Sequence, residues 1–366
     1  MERFAVARAV GLWLLPLAAT TGCIVSPDDE AEVLDTTELG VGPAPDGGYT
    51  FGRSAHELRK SVPISNGAAE WRVIYSVPLS DLGPQERVAV RGEVQLTTCQ
   101  KSDVDQNTPC QRISPFNPKF QVKVVLGSSK GDSSGKALSE TSGVTCTHFE
   151  HHCAVAIKQE VTDGLAGSKF ANLVVAASAG GATSKDVMIV DEDHGGLYVT
   201  RIGAGAEVHG KQFDGTDVSP AWMKLDMANE HPREPHVTLQ ATVANAQPGD
   251  ILDVDALIEA KTHGQGSKPA GCQGAREPLL SHQVFVSKHK QDPIASKIAA
   301  ITAKNGSNCD LDDTCKYRKS GAIQLPEDTP DTVHVSVVSW GGRSCSASGD
   351  EWKLGGASWL RVGRLR

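Results

Sequence analysis

The feature that most constrains this chain is an internal repeat, which has to be identified before any fold is assigned. Residues 79–98 align without a gap against residues 243–262, an offset of 164. In that register Pro84 meets Pro248, Val88 meets Leu252, Val90 meets Val254 and Val94 meets Ile258, while Val73–Val77 upstream meets Val237–Ala241. Downstream the order persists with small gaps. Cys110 faces Cys272, Cys146 faces Cys309 and Cys153 faces Cys315; Ser178-Ala179-Gly180-Gly181 faces Ser339-Trp340-Gly341-Gly342. Gly195-Gly196 and Arg201 face Gly355-Gly356 and Arg361. A collinear set of this length implies an internal duplication.

Both copies carry the period of a strand. Val88, Val90, Val94 and Leu96 fall on one face, with Arg87, Arg91, Glu93 and Gln95 on the other. Phe120, Val122, Val124 and Leu126 alternate with Gln121 and Lys123; Leu252, Val254, Ala256 and Ile258 alternate with Asp253 and Asp255. Period-two alternation describes an antiparallel sheet with one packed face and one wet face. In the first copy strands are expected near 58–64, 71–79, 86–98, 119–127, 153–160, 170–178, 186–191 and 196–202. That density, broken by Gly, Pro, Asp and Ser, predicts an all-β chain of two tandem antiparallel, jelly-roll-like β-sandwich domains. The boundaries fall at 49–203 and 204–366. One helix is expected as an insertion in the second copy: Ile294, Ile298 and Ile301 recur at helical spacing, with Asp292 to cap, Pro293 at the first position and Asn305-Gly306 to stop it.

The 366 residues suffice for two or three domains, and 22% charged with 39% hydrophobic residues is ordinary globular composition. Residues 1–22 read as an export signal: Arg3 and Arg8 open it, residues 9–19 are apolar, and small residues Thr20-Thr21-Gly22 precede Cys23. The apolar stretch is short of the ~20 residues a membrane-spanning helix needs. Removing this segment takes off Arg3, Arg8 and Glu2, so the formal charge goes from −8 to −9. No basic cluster stands against that charge, which argues against a nucleic-acid partner.

Thr20-Thr21-Gly22-Cys23 resembles the lipobox of bacterial lipoproteins, with Thr20 standing where leucine is usual. The resemblance implies that Cys23 is the lipidated (palmitate-bearing) first residue of the mature chain, anchored in the lipid bilayer. Ile24 rather than aspartate after it implies the outer membrane or cell surface. Residues 23–48, acidic at Asp28-Asp29-Glu30 and rich in Gly and Pro from 40 to 48, read as a tether.

Eight cysteines remain, four in each copy, and an even number in an exported chain implies disulfides. The simplest pairing is Cys146–Cys153 and Cys309–Cys315 as closed hairpin loops, with Cys99–Cys110 and Cys272–Cys345; within copies nine schemes are possible. Zinc is disfavoured because no C-x2-C pair exists.

Among candidate sites, His148, Glu150 and His152 form the densest group of metal-ligating types, yet the second copy has Asp310-Leu311-Asp312-Asp313 there. Asp103, Asp105 and Asn107 match the first ligand positions of a calcium loop, but Thr108 and Pro109 replace the glycine that should follow. Gly127-Ser128-Ser129-Lys130-Gly131 has the letters of a nucleophile elbow without the helix that must follow it. Trp340 lies on the face opposite Val333, Val335 and Val337, as a sugar platform or as cover for that face. Neither a catalytic nor a cofactor motif withstands this reading. The expected function is therefore a noncatalytic envelope lipoprotein that binds a protein or glycan. The alternatives are a secreted hydrolase with its site between the sandwiches, or a structural spacer.

Overall fold

Alternating side chains build two sandwiches whose long central strands are Arg87–Gln100 and Ile251–His263. The computed structural model describes residues 40–366 apart from 55–56, 69, 81, 84, 101–116, 140, 146–151, 162–166, 168, 185, 192–193, 208–209, 228–233, 266–277 and 344–348. Among the described residues every regular element is a strand. Seven of the eight strands expected in the first copy begin and end within two residues of the expected positions, and the first runs Ser61–Ser65. The strands Tyr49–Ser54, Lys136–Ala137 and Ser142–Thr145 were not legible in the sequence.

In the first sandwich Arg87–Gln100 pairs on one side with His152–Val161 and on the other with Gly196–Ile202, then Asp186–Val190. The facing layer has Phe170–Ser178 between Arg72–Pro78 and Lys119–Gly127. Ser61–Ser65 belongs to both layers, antiparallel to Asp186–Val190 and parallel to Phe170–Ser178. The second sandwich has the same order of pairing. Ile251–His263 lies between Thr314–Gln324 and the pair Trp359–Leu365 and Glu351–Leu354. Its facing layer has Thr332–Arg343 between His236–Ala244 and Pro278–Ser287. The corner role falls to Met223–Lys224 and Asp226–Met227, which pair with different layers. A register irregularity lies between Val73 and Tyr75, and another between Val237 and Leu239, at the same rung of each sandwich.

Two registers differ from the sequence alignment. Ile202 pairs with Arg87 and Leu365 with Ile251, so the last strand corresponds at an offset of 163 (365 minus 202) rather than 160. Arg201 therefore corresponds to Arg364, not Arg361. Both arginines do the same work. Arg201 donates to Ser80 O at 3.2 Å and pairs with Glu86, whose carboxylate also accepts from Gly83 N. Arg364 donates to Ala244 O at 2.7 Å and lies 3.8 Å from Asp250, which accepts from Gln247 N.

The expected helix is absent, and a single turn takes its place. Asp292 does cap it, accepting from Ala295 N at 3.0 Å, and Ser296 N bonds to Asp292 O. The chain then leaves as Lys297–Ala300, pairing with Phe285–Ser287. A helix would put the three isoleucines on one stripe. Here Ile301 and Ile298 pack toward the interior, whereas Ile294 packs with Phe285, Val338 and Trp340 on the outer face. Pairing wins because it satisfies the edge amides of Pro278–Ser287, which a short helix would leave bare.

The core of each sandwich is the expected alternating set, including Val88, Val90, Val94 and Leu96 in the first and Leu252, Val254, Ala256 and Ile258 in the second. Val41, in the stretch expected to be tether, is buried in the first core and bridges to Leu79. The sandwich thus reaches back before residue 49. Arg201 has no exposed side-chain surface, whereas Glu86 keeps 12% and also accepts from Gly83 N and Ala44 N. Removing Arg201 leaves a partly solvated carboxylate with two donors, so the cost is about 1–3 kcal/mol rather than that of a fully buried pair. Arg201→Met should lose that much stability in urea titration, and a loss under ~1 kcal/mol would mean the clamp carries little weight.

Candidate functional site

The face of Arg87–Gln100 expected to be wet is buried. Arg91, Glu93 and Gln95 are 3%, 0% and 4% exposed, because this face lies across the open side of the second sandwich. There the strand Thr314–Gln324, which among the described residues pairs on one side only, adjoins segment 303–306 of the other sheet. Glu93 Oε1 accepts from Ala303 N at 2.7 Å, and Gln95 Oε1 accepts from Gly306 N at 2.7 Å. Arg91 grips Asp253 with two bonds of 2.7 and 2.5 Å. Lys158 lies 3.6 Å from Asp253 and 3.9 Å from Asp255, and Arg318 holds Asp255 with two more bonds. Beside this ladder, Tyr198, Tyr49 and Phe51 pack on Ile251, Ala322 and Leu365.

At the centre, Lys319 Nζ approaches Glu93 Oε2 at 3.1 Å. The same ammonium donates to Ala303 O (2.7 Å) and to Asn305 Oδ1. Asn305 Nδ2 in turn reaches His194 O at 3.4 Å. Burial pushes the Glu93 carboxyl up and the Lys319 amine down, each partly offset by the other's charge. Burial also raises Asp253, but Arg91 and Lys158 more than reverse this and hold it low. Charge is therefore kept at Asp253, whereas Glu93 and Lys319 are both drawn toward neutrality.

The junction is filled. Of two shallow grooves, one of about 350 Å³ lies around Pro63, Asn66 and Thr183, and one of about 330 Å³ lies at the junction's rim, between Tyr49 and Arg364. A second constellation has nucleophile-and-base geometry: His282 Nδ1 is 2.8 Å from Ser339 Oγ, which also meets Thr238 Oγ1 at 3.1 Å. Neither residue has any exposed surface, and His282 is enclosed by Tyr317 and Trp352. No substrate reaches it, so this is a polar rivet in the core.

The sequence candidates separate clearly. Asp103, Asp105, Asn107, His148 and Glu150 lie outside the described residues, as do Cys23 and the export segment; His152 is described in backbone only. Among the described residues no three His, Cys, Asp or Glu side chains gather to hold a metal. Residues 127–131 turn one strand into another, and Asp132 ties the turn by accepting from Ser128 N and Ser134 N. No helix follows, so the nucleophile elbow does not form. Trp340 is buried against Phe285 with Lys304 over its ring, which makes it cover and not a platform. Cys309 and Cys315 are bonded, their Cα atoms 6.0 Å apart, but they do not close a hairpin. Asn305–Asn308 and Thr314–Gln324 belong to different sheets, so the bond clasps the two layers together. Cys153 is disulfide-bonded as well and sits opposite Leu96, the rung where Cys315 sits opposite Ala260. Cys110, Cys146, Cys272 and Cys345 lie outside the described residues, and Cys99 is described in backbone only.

Sequence reasoning missed Glu93, Asn305 and Lys319. One signal was present: Lys319 shares the strand parity of Cys315, Tyr317 and Ile323, all of which face the core. It also missed Trp222, 39% exposed, with Lys353 Nζ 4.4 Å over its ring and His263 tilted beside it.

No protein-family model matches the chain, and no curated protein resembles it in sequence. Among solved structures it is similar to a protein of the infectious bursal disease virus particle, at 12% identity and a TM-score of 0.30, over 88% of this chain and 72% of that one. It is also similar to PNGase F, a glycosylasparaginase from Flavobacterium meningosepticum, at 10% identity and a TM-score of 0.22, over 87% and 96%. Likeness at this level assigns neither family nor activity.

His282 supplies a pH test. Burial first, and Lys319 second, push its pKa down to about 3. The native state keeps the ring neutral while the unfolded chain takes a proton below about 6.5. Stability is therefore full above pH 6.5 and falls as pH drops from there toward 3. In His282→Gln this part of the acid slope should vanish in denaturant titrations from pH 7 to 4; an unchanged slope would show that other groups set it.

Proposed function

We propose that this chain is a noncatalytic lipoprotein of the cell envelope, anchored through Cys23, whose two sandwiches are copies of one module and present a surface to a glycan or protein. One observation carries the noncatalytic part. The face an active site between the sandwiches would need is occupied by Glu93, Gln95 and Arg91, each committed to the second sandwich. A hydrolase would keep a concave, water-accessible site there. The recurring pairing order, bulge and arginine clamp support common origin of the copies, since each involves different contacts and all fall at matching rungs. The Cys309–Cys315 bond supports an oxidising compartment.

For the binding surface, Trp222 is the best candidate. It stands on a run of exposed residues from Thr216 to Trp222, interrupted only by a half-buried Ser219, with Lys353 and His263 beside it. An exposed tryptophan flanked by donors suits a sugar ring or a protein hot spot.

Cys23→Ala should release the protein from membranes washed in high salt, because one hydrophobic anchor is lost and nothing else described replaces it. Retention after washing would sink the lipoprotein reading. Trp222→Ala should weaken any ligand found on a glycan array by roughly tenfold or more, about 1.4 kcal/mol. An unchanged signal would move the surface elsewhere.

A further inference from the structure

The strongest unexplained chemistry lies at the centre of the junction, where a lysine, an asparagine and a glutamate meet with almost no exposed surface. Lys319, Asn305 and Glu93 are 1%, 3% and 0% exposed. Lys319 Nζ donates to Asn305 Oδ1, so the amine rests against the side-chain amide. Glu93 Oε2 is 3.1 Å from the same nitrogen. An amine held against an amide, with a carboxyl beside both, has the parts needed for acyl transfer: nucleophile, electrophile and proton shuttle.

We propose that Lys319 and Asn305 become joined by an isopeptide bond, formed within the folded chain with Glu93 as its acid–base catalyst. The Nζ lone pair attacks Asn305 Cγ, and the carbonyl π pair moves onto Oδ1. Glu93, protonated at the start, delivers its proton to Nδ2 and takes one from Nζ, and the pair on Oδ1 returns to re-form the carbonyl. The Cγ–Nδ2 bond breaks and ammonia leaves, so a primary amine and a primary amide become a secondary amide and ammonia. Glu93 ends as it began, and no oxidant or other co-reactant is needed. Burial favours the uncharged amine and the protonated carboxyl, the forms that start the reaction. Fixed contact between the partners replaces a bimolecular encounter, which is where such a reaction gains most of its rate.

Two further features fit. Asn305 precedes Gly306, a dipeptide whose usual fate is ring closure by the following backbone nitrogen onto the same Cγ. Here Gly306 N is committed to Gln95 Oε1 at 2.7 Å, which holds that competing nucleophile away. Glu93 comes from the first sandwich and the other two from the second, so the bond forms only after the sandwiches dock. It would join the sheet of Asn305–Asn308 to that of Thr314–Gln324, as the Cys309–Cys315 clasp does.

Peptide mapping of the full chain tests this. After reduction and tryptic digestion, mass spectrometry should find a branched peptide joining Asn305 to Lys319, lighter by one ammonia than its two arms. Cleavage after Lys319 should be lost. Linear peptides at both positions overturn the proposal, as does ammonia loss confined to Asn305-Gly306 with Lys319 still cleaved. Glu93→Gln, close in shape, should leave both peptides linear while the circular dichroism stays that of a β protein. Full cross-linking in that variant removes Glu93 from the role. Should Glu93→Gln fail to fold, the wild-type digest decides alone.

Discussion

The backbone amides of Ala303 and Gly306 donate to the side-chain oxygens of Glu93 and Gln95, and the rest of the arrangement depends on this exchange. An exposed sheet edge is a row of unpaired donors and acceptors that any other strand can recruit. In this chain the second sandwich has its open side closed by side chains of the first. Bringing a carboxylate there is costly, and the cost is offset only because Lys319 sits opposite and Arg91–Asp253 fixes the approach. Separating the sandwiches would uncover two amides, a carboxyl and an amine together.

The two sandwiches match where the fold needs it and differ where the junction needs it. Arg201 and Arg364 anchor the same corner in each sandwich, and the same rung holds the irregularity beside Val73 and Val237. By rung, however, Glu93 corresponds to Leu257 and Lys319 to Ile157. The pair that closes the junction therefore exists once, which is what an asymmetric contact between similar modules requires.

Much of the fold was legible because period-two alternation identifies strands and their core-facing side directly. Val88 to Leu96 and Leu252 to Ile258 were assigned to the interior from parity alone, and they are there. Parity does not say what covers the polar side, so Arg91, Glu93 and Gln95 read as solvated when they face another part of the chain. The isoleucines at 294, 298 and 301 misled because three residues at helical spacing fit equally a turn followed by a strand that uses both faces. The three-residue slip in the last strand came from aligning Arg361 and the glycines by letter, where the ladder pairs Leu365 with Ile251.

The strand Tyr49–Ser54 carries a mechanical consequence. It is joined to Gly196–Ile202 by six consecutive antiparallel rungs, and Gly47 and Gly48 add backbone bonds to Ala204 and Gly203 just before it. Tension entering from the amino-terminal side first meets the Val41 bridge to Leu79; running on along this strand, it is shared by all its rungs at once, as in a lap joint, rather than opening them one by one like a zip. Such a joint yields at high force over a short extension. A chain pulled from that end would hold its fold up to a sharp limit, with the load passing into the central strand Arg87–Gln100, the partner of Gly196–Ile202 on its other side.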